Sequence, residues 1–435
     1  MCGAVGVDEE AMILASERAR SAPTHPKLRL LEPQLVDYQG QRMIYLYDSL
    51  GIAEDGALIP QPLAPLLSLC DGTRDISGLR SGLLLHTGNT LPEHVIAQII
   101  EQMDDALLLE NGAYQDAAAD VMRRYHDARH RPPSHAGPVY PGDVARLTRT
   151  MAAYCEETPV SADETAVGEL IGMLCPHIDY QRGHKTYAEL WQRAKPSLDD
   201  IELVVIFGTD HSGGLGMLTP TRQSYFTPHG TLRTDTDIID GLADTLGKRA
   251  YEEEIHHIKE HSIELAAVWL HHFLDGRDCA VVPVLCGSFH HFVSGRGNPW
   301  DDRRINDTVD YLVDATAGRR TLVIAAGDLA HMGPAFGDTA PLDAIARAKL
   351  AAEDGDSMTE ICNGDGAAFF ERSRAESDSR RICGIPPIYL MLELLNRQGK
   401  GSNLQGESMG YDQCPADAQG GSLVSIAGAL LYDGG

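Results

Sequence analysis

Apolar and polar positions along this chain change rhythm between residues 115 and 131. From 28 to 115 the runs are short. "RMIYLYDSL" (42–50) reads as a strand entering a turn, and "PLAPLLSLCDG" (62–72) has helical spacing that stops at Asp71-Gly72. "DISGLRSGLLLHTG" (75–88) predicts a second helix and "LPEHVIAQIIEQMDDALLLENG" (91–112) a third. Residues 1–27 read as a loose leader, and 116–130 as a polar connector with "RRYHDARHRPP" (123–133) at its end.

Beyond 131, strands and helices alternate. "IGMLC" (171–175), "ELVVIFG" (202–208), "CAVVPVLCG" (279–287), "TLVIAAG" (321–327) and "SLVSIAGALLY" (422–432) are predicted strands. Helices are expected at 184–194, 238–247 and 263–274, and near 342–354 and 386–397. Continuous apolar strands between amphipathic helices predict an α/β fold, with a largely parallel sheet covered on both faces.

Composition narrows the partners. The formal charge of −27 opposes broad contact with a phosphate backbone, so no nucleic-acid partner is expected. No apolar run approaches the roughly 20 residues that span a bilayer, and the acidic N-terminus does not suit a signal peptide. A cytoplasmic location without a membrane partner is the expectation. Nine cysteines, an odd number without a CxxC pair, suit reduced thiols rather than a disulfide framework.

In such a sheet, functional side chains gather beyond the carboxyl ends of the strands. The first strand is followed by His177 and Asp179, the next by Asp210 and His211, and "TLVIAAG" by Asp328 and His331. "SFHH" after 279–287 reads as surface. Glu260, His261 and Glu264 stand at the start of a helix, where Glu260 and Ser262 also read as capping residues. A single strand-end histidine, as His177 would be alone, is more often a hydrogen-bonded structural residue than a ligand. Recurrence at one edge of the sheet favours a site.

Cys383 precedes Gly384 and Pro386-Pro387, so a helix should begin close by. Its N-terminus, with Arg380 and Arg381, would favour the thiolate. The bland alternative is an inert buried thiol. Two imidazoles and one thiolate would suit iron(II), copper or zinc, with Asp328 and His331 as an acid–base or positioning pair.

Six motifs occur in the order of a known family: "PSHAGPVYPGD" (133–143), "PHIDYQRG" (176–183), "GTDHSG" (208–213), "EHSIE" (260–264), "AAGDLAH" (325–331) and "RRICGIPPI" (380–388). The region 131–435 resembles the Memo family, also called AmmeMemoRadiSam system protein B. That resemblance implies an α/β fold with a mixed sheet like that of class III extradiol dioxygenases. It also implies His177, His211 and Cys383 as metal ligands. Asp328 and His331 would line the cleft as catalytic groups, with His261 nearby. Where many members have Ala-Gly and Pro, this chain has Ile178-Asp179 and Thr209-Asp210, which would bring two extra carboxylates near the metal. The region 28–115, through "LCDGTRDISGL" and "MDDALLLENGAY", resembles small α+β PqqD-like, winged-helix-type domains. Without a basic recognition helix, it is expected to dock peptide or protein, or only to pack.

The leading expectation is a dioxygenase-like, iron-dependent oxidoreductase acting on an unidentified small molecule or modified protein. Non-catalytic iron or copper binding, a scaffold role with a partner, and metal-dependent hydrolysis stand as alternatives. The resemblance also implies AMMECR1-like and radical-SAM protein partners.

Overall fold

A computed structural model describes residues 23–29, 31–53, 56–160 and 168–434, so most of the expected leader at 1–27 lies outside the described residues. The chain divides into two units, Met1–Arg124 and Tyr125–Gly435.

In the smaller unit, β1 (Glu32–Tyr38), β2 (Gln41–Tyr47) and β3 (Ala57–Pro60) form an antiparallel sheet in that order. The β1–β2 connection is Gln39-Gly40, with φ of 51° and 75°, the left-handed pair that a two-residue hairpin requires. Hydrophobic patterning marks β2 but not β1, where Pro33, Gln34 and Asp37 interrupt the alternation. The expected helices are α1 (Ala64–Leu69), α2 (Ile76–Thr87) and α3 (Glu93–Asp105). Asp75 caps α2 by accepting from the Gly78 amide, and left-handed Gly88 ends it. The core includes Leu46, Leu66, Leu79, Leu83, Ile96 and Ile100.

The connector expected at 116–130 is mostly helix, α4 (Gly112–Asp127). Four alanines between 113 and 119 favour helix, and no glycine or proline follows until Pro132. Arg131, just past the connector, is wholly buried and pairs with Glu264 at 2.7 Å.

In the larger unit, α5 (Val144–Glu157) leads to β4 (Glu169–Cys175), α6 (Tyr180–Ala194) and β5 (Leu203–Thr209). Three short strands follow, β6 (Leu218–Pro220), β7 (Tyr225–Thr227) and β8 (Gly230–Thr234). Then come α7 (Thr236–Leu246), α8 (Ser262–Leu274), β9 (Ala280–Cys286), α9 (His290–Val293), α10 (Arg303–Ala315) and β10 (Thr321–Ala326). The unit closes with β11 (His331–Met332), α11 (Ala344–Cys362), α12 (Gly366–Ala375), α13 (Ile385–Arg397), β12 (Leu404–Pro415) and β13 (Leu423–Asp433).

These strands make one mixed ten-stranded sheet. The central run β4-β10-β5-β9-β8 is parallel throughout. Antiparallel strands flank it, with β13 on β4 and β7 on β8. Strand periodicity sorts the core. Val204, Ile206, Leu322 and Ile324 face Leu147, Trp191 and Trp269 of α5, α6 and α8. Leu203, Val205, Phe207 and Val323 face Ile239, Val309, Phe370 and Ile388 of α7, α10, α12 and α13. The pattern does not mark β12, which pairs with β13 and carries a bulge at Gly410. Among the described residues, no helix is long and apolar enough to cross a membrane. The eight described cysteines are all free thiols.

The segment before α13 is pinned by a buried charge. Arg380 donates to Asp354 at 2.6 Å, Glu376 at 2.9 Å and Ser357 at 3.0 Å. Asp354→Ala leaves that guanidinium only the partly exposed Glu376 as a carboxylate partner and should destabilise the larger unit by about 2 kcal/mol, read by urea unfolding through tryptophan fluorescence. A loss below about 1 kcal/mol would mean the pair behaves like an exposed one.

Candidate metal centre

Because β4, β10 and β5 are parallel neighbours, their carboxyl ends place His177, Asp328 and His211 at one edge. Cys383 arrives from the opposite direction, one residue before Gly384, the N-cap of α13. Two glycines let that segment settle on the strand end. A Cβ on Gly327 would lie 2.7 Å from the Gly384 Cα, and one on Gly384 would lie 2.7 Å from the Asp328 carbonyl oxygen. The Gly384 amide donates to that same carbonyl at 3.0 Å. Thr209 adds a hydrogen bond to the Cys383 carbonyl at 3.0 Å.

One ligand-type atom each from His177, His211 and Cys383 comes together, all within 4.8 Å of one another. The His177 Nε2 lies 3.3 Å from the Cys383 sulfur. Its Nδ1 lies 3.1 Å from the Ala326 carbonyl oxygen, which can only accept. His211 has its Nδ1 at 3.1 and 3.2 Å from the two oxygens of Glu260, also an acceptor. Both rings thereby donate the Nδ1 proton to a fixed acceptor and turn Nε2 toward the thiol, the orientation in which an imidazole binds a metal once Nε2 gives up its own proton.

Other expected residues stand around the three. Asp328 accepts from the His177 amide at 2.8 Å, and its other oxygen lies 3.8 Å from the His177 Nε2. His261 stacks on His211 with ring centroids 4.8 Å apart and meets His177 edge-on at 5.0 Å. His331 is tied by its Nδ1 to the Arg381 carbonyl at 3.1 Å and by its amide to the Arg380 carbonyl at 2.7 Å.

Electrostatics favour an ionised thiol. Burial raises the Cys383 thiol, but His177 and then His331 outweigh it and hold it well below the usual range. Burial pushes His177 down, yet Cys383 and Asp328 hold it up at about 9. His211 is likewise held well above its ordinary value by Glu260, against burial. The expected help from Arg380 and Arg381 is not what does this, because both arginines are paired with carboxylates, Arg380 with Asp354 and Arg381 with Asp338. Two nitrogens and a thiolate suit a borderline or soft transition-metal ion rather than magnesium or calcium.

A family model described as Memo-like protein matches residues 131–430. The chain belongs to the Memo family. A MEMO1 family protein of Aquifex aeolicus is 25% identical over 410 residues, covering 94% of this chain and 100% of that protein. One from Methanosarcina mazei is 26% identical over 271 residues, 62% of this chain and 87% of that protein. The protein memo-1 homolog of Caenorhabditis elegans is 26% identical over 272 residues, 60% of this chain and 70% of that protein.

In this Memo chain the two additional carboxylates turn away from the donor cluster. Asp179 caps α6 and pairs with Arg182 at 2.5 Å. Asp210 binds His256 at 2.8 Å and the Ser212 amide at 3.1 Å. Asp179 is held in its own turn and Asp210 by the distant His256, so neither joins the three donors. Glu260 exceeds its capping role. It accepts from the His261 and Ser262 amides at 2.7 and 3.0 Å, as a cap would, and holds His211 as well. The family motif at 133–143 contributes His135, which the pattern of strand ends does not reveal. Its ring centroid lies 5.6 Å from that of His261, and its Nδ1 lies 2.8 Å from the Ser134 hydroxyl.

The thiolate assignment is directly measurable. In metal-free protein, alkylation of Cys383 by iodoacetamide should stay nearly flat between about pH 6 and pH 8, whereas an ordinary thiol accelerates steeply. His177→Gln should restore the ordinary rise; a rising profile in the unaltered protein would contradict the ion-pair reading.

Proposed function

We propose that this Memo-family protein is a metal-dependent, dioxygenase-like oxidoreductase, with His177, His211 and Cys383 holding iron(II), or in its place copper or zinc. The supporting observation is the pair of Nδ1 anchors, the Ala326 carbonyl and the Glu260 carboxylate, which direct the two Nε2 atoms toward one sulfur. Bound there, such a metal would supply Lewis acidity and, as iron or copper, one-electron chemistry, with coordination positions left for substrate.

The surrounding residues have separable tasks in this reading. His331, with Nδ1 on the Arg381 carbonyl, presents Nε2 to take or return a substrate proton. Asp328 orients His177 through its amide, and His261 fills the space between the two histidines and His135.

Protein purified without oxygen should carry about one transition-metal ion per chain, measured by elemental analysis, and Cys383→Ala should lose it. No metal in the unaltered protein, even after reconstitution with iron(II), would end the reading and leave a scaffold. His331→Gln should keep the metal while oxygen consumption with a phenolic or catechol-like substrate panel falls by about a hundredfold or more. Turnover that persists without oxygen or reductant would instead indicate hydrolysis.

A further inference from the structure

A cavity of about 210 Å³ lies where β5 and β9 end against the start of α13, and His211 and Cys383 form part of its wall. Phe289, Val293, Ile382, Ile385 and Pro386 give it apolar surface. For scale, a dry apolar cavity of roughly 150 Å³ takes up benzene. This one therefore has room for a single aromatic ring with a short substituent.

Its ionisable lining includes His211, His290, Arg381, Asp210, Asp378 and Cys383, and Arg380 also faces Asp378. Arg381 lines the cavity, but its guanidinium is committed to Asp338 and to the His331 carbonyl at 3.0 Å. The Asp210 carboxylate is committed to His256 and the Ser212 amide. Asp378 differs. Its Oδ1 accepts from the Ile382 amide at 2.9 Å, while among the described residues no hydrogen bond reaches Oδ2. A carboxylate oxygen thus stands at a ring-sized space of mixed lining whose one guanidinium is already committed.

We infer that the cavity takes a small arylalkylamine, with its ring against Phe289 and Ile385 and its ammonium on Asp378. The reacting end would then lie beside His211 and Cys383; that part rests on the proposed metal centre, whereas binding does not. Burial lifts the Asp378 carboxyl to about 6, so binding is best read near pH 8, where it is ionised.

The probes are 2-phenylethylamine and phenylacetate, similar in size and opposite in charge, titrated calorimetrically into the full chain with and without metal. The amine should bind at least about tenfold more tightly than the carboxylate. Asp378→Asn, which keeps an oxygen for the Ile382 amide, should weaken amine binding by about tenfold and leave metal content unchanged. Amine binding that is absent, no tighter than that of phenylacetate, or unaffected by the substitution would overturn the inference. Because the comparison is also made on metal-free protein, a missing metal centre and a wrong occupant give different results.

Discussion

The Glu260 carboxylate receives the amides of His211, His261 and Ser262 and the Nδ1 atoms of His211 and His261, at distances from 2.7 to 3.2 Å. A buried carboxylate costs several kcal/mol unless its oxygens are satisfied, and this one is 8% exposed. Meeting that demand draws the end of β5 and the beginning of α8 to the same two oxygens. One anion therefore caps a helix, joins that helix to the sheet, and fixes the ring orientation of His211.

The next acidic residue on the same face repeats the scheme. Glu264, one turn on, accepts from Arg131 at 2.7 Å, the His135 amide at 2.8 Å and the Tyr140 hydroxyl at 2.6 Å. The first turn of α8 thus docks two irregular segments, the strand end bearing His211 and the 133–143 motif. Irregular backbone at a functional edge needs such fixed acceptors, because it has no ladder of its own to satisfy its amides.

Strand order and residue order made much of this legible. Continuous apolar runs located β4, β5, β9, β10 and β13, and histidines after β4, β5 and β10 named the edge that holds the cluster. Side-chain direction was not legible. Asp179 and Asp210 sit in sequence beside His177 and His211, yet Asp179 turns into its own loop and Asp210 is held by the distant His256 and the Ser212 amide. Arg380 and Arg381 read as a cationic pair beside the thiol, but Asp354 and Asp338, distant in sequence, neutralise them. β12 and α4 escaped for a related reason: a polar edge strand and a polar, alanine-rich helix carry weak hydrophobic periodicity.

The contact of Gly327 with Gly384 is main chain against main chain. Such a rest has no rotamers to sample, so its thickness behaves like a fixed gauge between the sheet and the sulfur. Repacking the surrounding side chains changes the cushioning but not the gap. Selection among ions by radius would then reside in peptide geometry, beyond the reach of most single substitutions, and the two glycines would be where drift in sequence is felt first.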